Sequence, residues 1–467
     1  MAENVSLGVP VVGYQPTSPP QDAQPTSAFD GHHPPSEALV GDCVHCGFCL
    51  PSCPTYTLWG EEMDSPRGRI HLMKTGLEGE PMTPARVQHF DACLGCMACV
   101  SACPSGVQYD KLIGAVRPQV ERRHTRPWRD RLLRGLIFRT FPYPRRLRLL
   151  RGPLRAYQRS GLSPVLRRSG LLDRVSPSLR VMESLAPPLA PMERIPEVTP
   201  AVGPRRAVVG MLTGCVQSVF FPDVNAATAR VLAAEGCEVH TPARQKCCGA
   251  LSEHLGREEE GLRFARALIE TFLAAEVTHV VVNAAGCGSQ MKDYAHLLRD
   301  DPRYAERAAL LSDQVRDVSE LLAELGTVAP RHRLDLSVAY HDACHLAHAQ
   351  GVRTQPRTLL REIPGVEVRE IADGTTCCGS AGVYNVLHPA TADELGDRKA
   401  ATVLATGAQL LVTANPGCLM QIATAAERAG HSLAVAHTVQ VLDAAIRGLP
   451  AATLTQRQPQ HLSCPEK

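Results

Sequence analysis

The stretch CVHCGFCLPSCP, residues 43–54, spaces four cysteines as C-x2-C-x2-C-x3-C-P. A second stretch, CLGCMACVSACP at 93–104, repeats that spacing fifty residues later. Structural zinc sites draw two close pairs of ligands from separate parts of a chain, and three cysteines each two residues apart do not fit that plan. They fit three corners of an iron–sulfur cube. The fourth cysteine of each run, followed by a proline that turns the chain away, then serves the other cube. The pattern assigns Cys43, Cys46, Cys49 and Cys103 to one 4Fe-4S cluster, and Cys93, Cys96, Cys99 and Cys53 to a second.

The rest of the composition suits such a chain. Its 467 residues predict two to four domains, and a net charge of +2 gives no case for nucleic acid. Hydrophobic residues make up 44% and aromatic residues only 4%, so the core must rest on Leu, Val and Ala. The first residues, MAENVSLGVPVVGYQP, have neither a basic region nor a sustained apolar one, and no apolar run is long enough to span a membrane. A reducing cytoplasm is the expected setting, where 18 clustered cysteines mean metal ligands or redox thiols rather than disulfides.

Composition divides the chain further. Residues 1–36 are rich in Pro, Gln, Ser and Thr and read as a disordered leader. Residues 37–116 hold both cysteine runs. Between the runs, Ser65 and Thr83 are expected N-caps, Pro66 and Pro84 first helical residues, and Gly76 a helix stop. Residues 117–204 form a basic connector and a proline-rich hinge. RDRLLRGLIFRTF, 129–141, predicts a short amphipathic helix whose arginines are solvated, pair with the chain's own carboxylates, or dock an acidic partner or anionic lipid.

An internal repeat follows, at 205–328 and 335–449, with a tail at 450–467. VVGMLTGC (208–215) answers VAYHDAC (338–344), QKCCGALSEH answers TTCCGSAGVY, and HVVVNAAGCGSQ answers LLVTANPGCLMQ. Each half alternates short β-branched runs with helical stretches, which predicts βαβ units and parallel sheets. The fold class is therefore multidomain, α+β and α/β: a helical two-cluster domain and two pseudo-repeated α/β domains.

Each repeat offers four cysteines: Cys215, Cys247, Cys248 and Cys287, then Cys344, Cys377, Cys378 and Cys418. Cys215, Cys287, Cys344 and Cys418 each follow an apolar strand, where α/β sheets gather ligands. Cys287 and Cys418 are expected to open helices, and the glycines after Cys248 and Cys378 to let the backbone approach a ligand. A further iron–sulfur cluster, a zinc ion or a redox dithiol remain open for these sites. Cys237 and Cys464 read as plain thiols. His341 and His345 are expected to share a helix face beside Cys344. No G-x-G-x-x-G or Walker loop is present, so a hydride-accepting flavin must come from a partner.

Two ferredoxin-type runs followed by two CCG repeats resemble the iron–sulfur subunits of flavin-linked dehydrogenases, above all those of glycolate oxidase. GEEMDSPRGRI, CCGALSEH, AAGCGSQMKDY, HLAHAQGVR and CCGSAGVYNVLHP carry the resemblance over about residues 40–445. It implies an FAD-containing dehydrogenase partner that oxidises glycolate to glyoxylate. This chain would pass the electrons to a quinone or another acceptor, from the cytoplasm or the inner face of the cytoplasmic membrane, and would not turn over glycolate alone. Equivalent subunits of lactate or glycerol-3-phosphate dehydrogenases, and a heterodisulfide-reductase-like thiol enzyme, are the alternatives. Some relatives continue the last repeat cysteine as C-x-x-C, whereas Gln290 and Gln421 stand there in this chain.

Overall fold

In the computed structural model, whose described residues are 27–456, Ser65 accepts a hydrogen bond from the Gly68 amide at 3.0 Å and starts the helix Pro66–Leu77. Thr83 likewise accepts from the Arg86 amide at 3.2 Å and starts Pro84–Asp91. Each side chain satisfies a backbone donor that the first turn leaves orphaned. Ser65→Ala is therefore expected to lower stability by about 1 kcal/mol, read as a shifted urea midpoint.

Gly76 does not stop its helix, which runs on to Leu77. It faces Ala28 and Phe29 instead, and a Cβ there would lie 2.7 Å from the Phe29 ring. Ala28 and Phe29 are buried, and Asp30 pairs with Arg122 at 2.8 Å and accepts from Gln119 at 3.0 Å. Residues 27–30, which composition places in the leader, are thus held by an apolar anchor and an ion pair. Residues 1–26 of the leader and 457–467 of the tail, Cys464 among them, lie outside the described residues.

Ile70, Met73, Val87, Phe90, Leu112, Ile113 and Val116 form the core beneath both cysteine runs. The basic connector follows as the helices Trp128–Thr140, Pro144–Arg159 and Leu162–Ser169. Several of its arginines pair inward. Arg126 bonds Asp91 at 2.7 Å and Glu121 at 2.6 Å, Arg134 bonds Asp130 at 3.1 Å, and Arg151 donates to the Ala190 carbonyl at 2.6 Å.

The remainder is α/β. The first sheet comprises β1 (Val198–Thr199), β2 (Ala207–Met211), β3 (Cys237–His240), β4 (His279–Val282) and β5 (Val315–Asp317), in the order β1-β3-β2-β4-β5. Only the β1–β3 pair is antiparallel. The second comprises β6 (Leu336–Tyr340), β7 (Val366–Glu370), β8 (Leu410–Thr413) and β9 (Val435–His437), ordered β7-β6-β8-β9 and parallel throughout. Their central strands are apolar because helices cover both faces. The expected parallel sheets are present, in a chain that mixes helical and α/β parts.

The two repeats share one core. Helix Pro222–Ala234 of the first packs on Thr438–Ile446 of the second, and Val318–Leu325 packs on Thr354–Arg361, so each repeat lends its last helix to the other's first. Val231, Leu321, Leu322, Leu359, Leu360 and Leu442 meet there. Before β5 the first half carries two helices, Tyr294–Leu297 and Ala305–Gln314, that the second half lacks between Pro416–Arg428 and β9. Among the described residues no helix is long and apolar enough to cross a membrane.

Candidate metal centres

Cys53 caps the start of the helix Pro54–Trp59 with φ −87° and ψ 116°. Cys103 caps the end of Ala98–Ala102 with φ −82° and ψ 115°. The following prolines explain the shared extended backbone, since a residue before proline is pushed out of the helical region. Cys53 lines one cavity with Cys93, Cys96 and Cys99, together with Arg69, Gly95 and Tyr109. Cys43, Cys49 and Cys103 rest half-buried on the domain core, and Cys46 is exposed.

Arg69 is the residue that spacing did not reveal. It is 1% exposed. Its guanidinium donates to the carbonyls of His89 and Asp64 at 2.6 Å each, and to the Asp64 carboxylate at 3.2 Å. Burial works against its charge, but the facing Cys93, Tyr109, Cys53 and Asp64 hold its pKa above the ordinary value. The same contact acts on the thiol. Burial opposes ionisation of Cys93, yet Arg69 and Arg117, with the Gly95 amide at 3.4 Å and the Tyr109 hydroxyl at 3.6 Å, hold it below the usual thiol range. Burial pushes Cys96 and Cys99 far above that range, with the neighbouring thiols adding to it, and pushes Cys49 up to about 11. Such buried thiolates need a cationic partner, and thiophilic iron or zinc supplies one. The only sequence signal for Arg69 was its place in DSPRGRI, between the runs.

In the first repeat, Cys215 follows β2 and its sulfur lies 3.5 Å from that of Cys247. Cys287 is the third residue of the helix Ala285–Lys292, as expected. Its thiol and that of Cys247 hold Cys248 well below the ordinary value, against burial. In the second repeat, Cys344 follows β6, and Cys418 is the third residue of Pro416–Arg428, where its sulfur accepts from Asn415 Nδ2 at 3.3 Å. The glycines after Cys248 and Cys378 also have a packing role that spacing did not foresee. Gly249 and Gly379 have φ of +87° and +86°, and a Cβ would meet the carbonyls of Gly261 at 3.0 Å and Ala392 at 2.7 Å. They permit a left-handed turn and a close helix crossing.

The histidines also separate. His341 follows β6 outside any helix, whereas His345 begins a π-helical turn, His345–Ala349, so they share no helix face. His341 lies with Cys378 and Cys418, all three buried and their donor atoms within 4.8 Å of one another. Both of its ring nitrogens lack a hydrogen-bond partner, although the Gly374 backbone is near. Burial pushes this imidazole down to about 3, so it is neutral. His345 packs edge-on against His254 at 5.0 Å, and His348 bonds Ser101 Oγ at 2.5 Å. Gln421, at a C-x-x-C position, is committed to Asn385 at 3.1 Å and the Ala392 carbonyl at 2.8 Å.

The first domain docks against both repeats. Lys111 pairs with Asp293, Arg117 bonds His254 Nδ1 at 3.0 Å, and the Tyr384 hydroxyl donates to the Ala92 carbonyl at 3.1 Å. Cys96 packs in one cluster with Cys344, Cys377 and Tyr384, which sets the second repeat's thiols beside the cavity of Cys53 and Cys93.

Three family profiles match this arrangement. A 4Fe-4S dicluster domain covers residues 40–107, a glycolate oxidase iron–sulfur subunit linker region covers 129–186, and a cysteine-rich domain covers 209–292 and 338–423. The chain is 40% identical over 408 residues to the probable glycolate oxidase iron-sulfur subunit of Bacillus subtilis, spanning 85% of this chain and 91% of that one. It is 35% identical over 414 residues to the glycolate oxidase iron-sulfur subunit of Escherichia coli, spanning 88% and 95%. Lactate utilization protein A of an Exiguobacterium species matches at 30% over 240 residues, which is 51% of this chain and 98% of that one.

Proposed function

This chain belongs to the family of glycolate oxidase iron–sulfur subunits, and from that premise we propose that it is the electron-transfer subunit of a flavin-dependent glycolate oxidase. An FAD-containing partner removes two electrons from glycolate, giving glyoxylate, and this chain carries them singly to a quinone or another acceptor. Bound 4Fe-4S clusters supply the one-electron carriers. Cys43, Cys46, Cys49 and Cys103 hold one, and Cys93, Cys96, Cys99 and Cys53 hold the other, within a domain spanning 37–116. The cysteines of the domains at 205–328 and 335–449 form two further thiolate sites suited to a cluster or zinc.

The observation that carries the wiring is that Cys53 lines the cavity of Cys93, Cys96 and Cys99, although residues 54–92 lie between it and Cys93. The chain's own residues prepare that cavity. Arg69 and Arg117 offset thiolate charge, Tyr109 donates to Cys93, and the apolar core beneath keeps water out.

Anaerobic reconstitution of the full chain is expected to yield about eight iron atoms in the two N-terminal clusters. Glycolate-dependent dye reduction should appear only with the flavoprotein added. Far fewer iron atoms, or glycolate turnover by this chain alone, would sink the proposal. A substrate panel on the complex in which lactate outruns glycolate would instead favour the lactate alternative.

Peripheral attachment to the cytoplasmic membrane face has its own support. Trp128, Leu132 and Leu136 are 63%, 66% and 56% exposed and fall at i, i+4 and i+8 of one helix, beside the exposed Arg129, Arg131 and Arg139. An apolar stripe with a basic border suits an anionic bilayer surface. Co-sedimentation with phosphatidylglycerol vesicles, lost in Leu132→Glu and at high salt, is the expected result. Equal sedimentation of both proteins would refute attachment through this stripe.

A further inference from the structure

We propose that the second repeat's thiolate group is a mixed imidazole–thiolate centre, in which His341, Cys378 and Cys418 hold a single zinc-type divalent ion, while the first repeat's group contains thiols alone. It deepens the reading of the repeat cysteines given above and is independent of the N-terminal cluster wiring.

The donor set is the first support. His341, Cys378 and Cys418 form the one buried group of three such donors this close among the described residues. Ligands around a tetrahedral zinc, with bonds of about 2.3 Å to sulfur and 2.0–2.1 Å to nitrogen, stand about 3.5–3.8 Å apart. Small side-chain rotations bring donors within 4.8 Å to that spacing. Imidazole and thiolate are also the ligand types that zinc accepts together.

The imidazole itself is the second support. Its ring nitrogens are both buried without a hydrogen-bond partner. Buried polar atoms are nearly always satisfied, and one that is not calls for an ion or a water. A divalent ion, two thiolates and a neutral imidazole sum to zero charge, which suits a buried site. Asn415 already donates to the Cys418 sulfur, as outer groups around metal ligands commonly do.

Comparison of the two repeats is the third support. Aligning Cys215 with Cys344 sets Leu212 opposite His341. Leu212 is buried in an apolar cluster. The fold thus accepts an aliphatic side chain at this position, so packing does not demand an imidazole there. Cys344 and Cys377 face each other and Cys96, and Cys377 also reaches Cys378, but neither thiol joins the close group that includes His341.

The test uses the anaerobically purified full chain, with zinc and iron counted by mass spectrometry and Co2+ loaded as an optical probe. Native protein is expected to carry one zinc beyond its iron. His341→Leu should weaken zinc retention against a chelator by more than about tenfold, the scale lost even with an outer-shell partner, while its iron stays. His341→Cys should restore retention and shift the Co2+ ligand-field bands. Unchanged retention in His341→Leu, loss in both variants, or iron in place of zinc at this site would overturn the proposal. A shortage of N-terminal iron with His341-dependent zinc intact would support His341 and sink the cluster wiring, so the two failures are distinguishable.

Discussion

Arg69→Met is expected to release about half of the iron and to lower the stability of the N-terminal domain by about 3–5 kcal/mol, the scale of breaking a buried ion pair. Methionine keeps an unbranched apolar stem, is shorter than arginine and has no donors. The His89 carbonyl, 2.6 Å from the guanidinium, would be left unpaired in the interior, and the Asp64 carbonyl would lose a charged donor at 2.6 Å and keep the Thr55 hydroxyl, also at 2.6 Å. The Asp64 carboxylate would keep only His89, at 3.0 Å. Cys93 would lose the first of the two cations that favour its thiolate. Arg69→Lys should rescue part of the iron but little of the stability, because an ammonium cannot reproduce the planar fork. Iron content and thermal melts of the three proteins measure both effects. Full iron and an unchanged melt in Arg69→Met would show that the buried charge is dispensable.

The second large effect concerns pH. The Glu253 side chain is half-buried, with Oε1 enclosed and unpartnered. Burial, with the carboxylates of Glu258 and Asp293 adding to it, pushes its pKa up to about 8. The folded protein therefore keeps a proton that the unfolded chain gives up near the ordinary carboxyl value. Stability from this group is fully present at low pH and falls as pH rises from about 4.5 to about 8. Glu253→Gln keeps the shape and removes the titration. It should unfold at a higher urea concentration than the native chain at pH 8.5, by on the order of 3 kcal/mol, and at nearly the same concentration at pH 4.5. Parallel pH profiles for the two proteins would mean that the carboxyl opens to solvent.

Much of the candidate site was legible because its ligands come in local runs. The spacing of Cys43, Cys46 and Cys49, and of Cys93, Cys96 and Cys99, can be read without knowing where the chain goes. The helix caps Ser65 and Thr83 were legible for the same reason, since a cap bonds within three residues of itself. Gly76 was misread because its partner, Phe29, lies 47 residues away and no local rule foresees it. The close packing of Gly249 and Gly379 on the Gly261 and Ala392 carbonyls was not foreseen either, since those partners lie on other elements.

Local chemistry, written in adjacent residues, was enough to determine that this chain has two ferredoxin-type runs, two repeated α/β halves and thiols in sets of four. Only the tertiary structure decided that the repeats exchange helices through a common core, that Arg69 lies beneath Cys93, and that His341 turns to Cys378 and Cys418 rather than to His345. The physical reason is that burial and charge are set by what the rest of the chain brings close, so a guanidinium or an imidazole acquires its role from neighbours the sequence holds far apart.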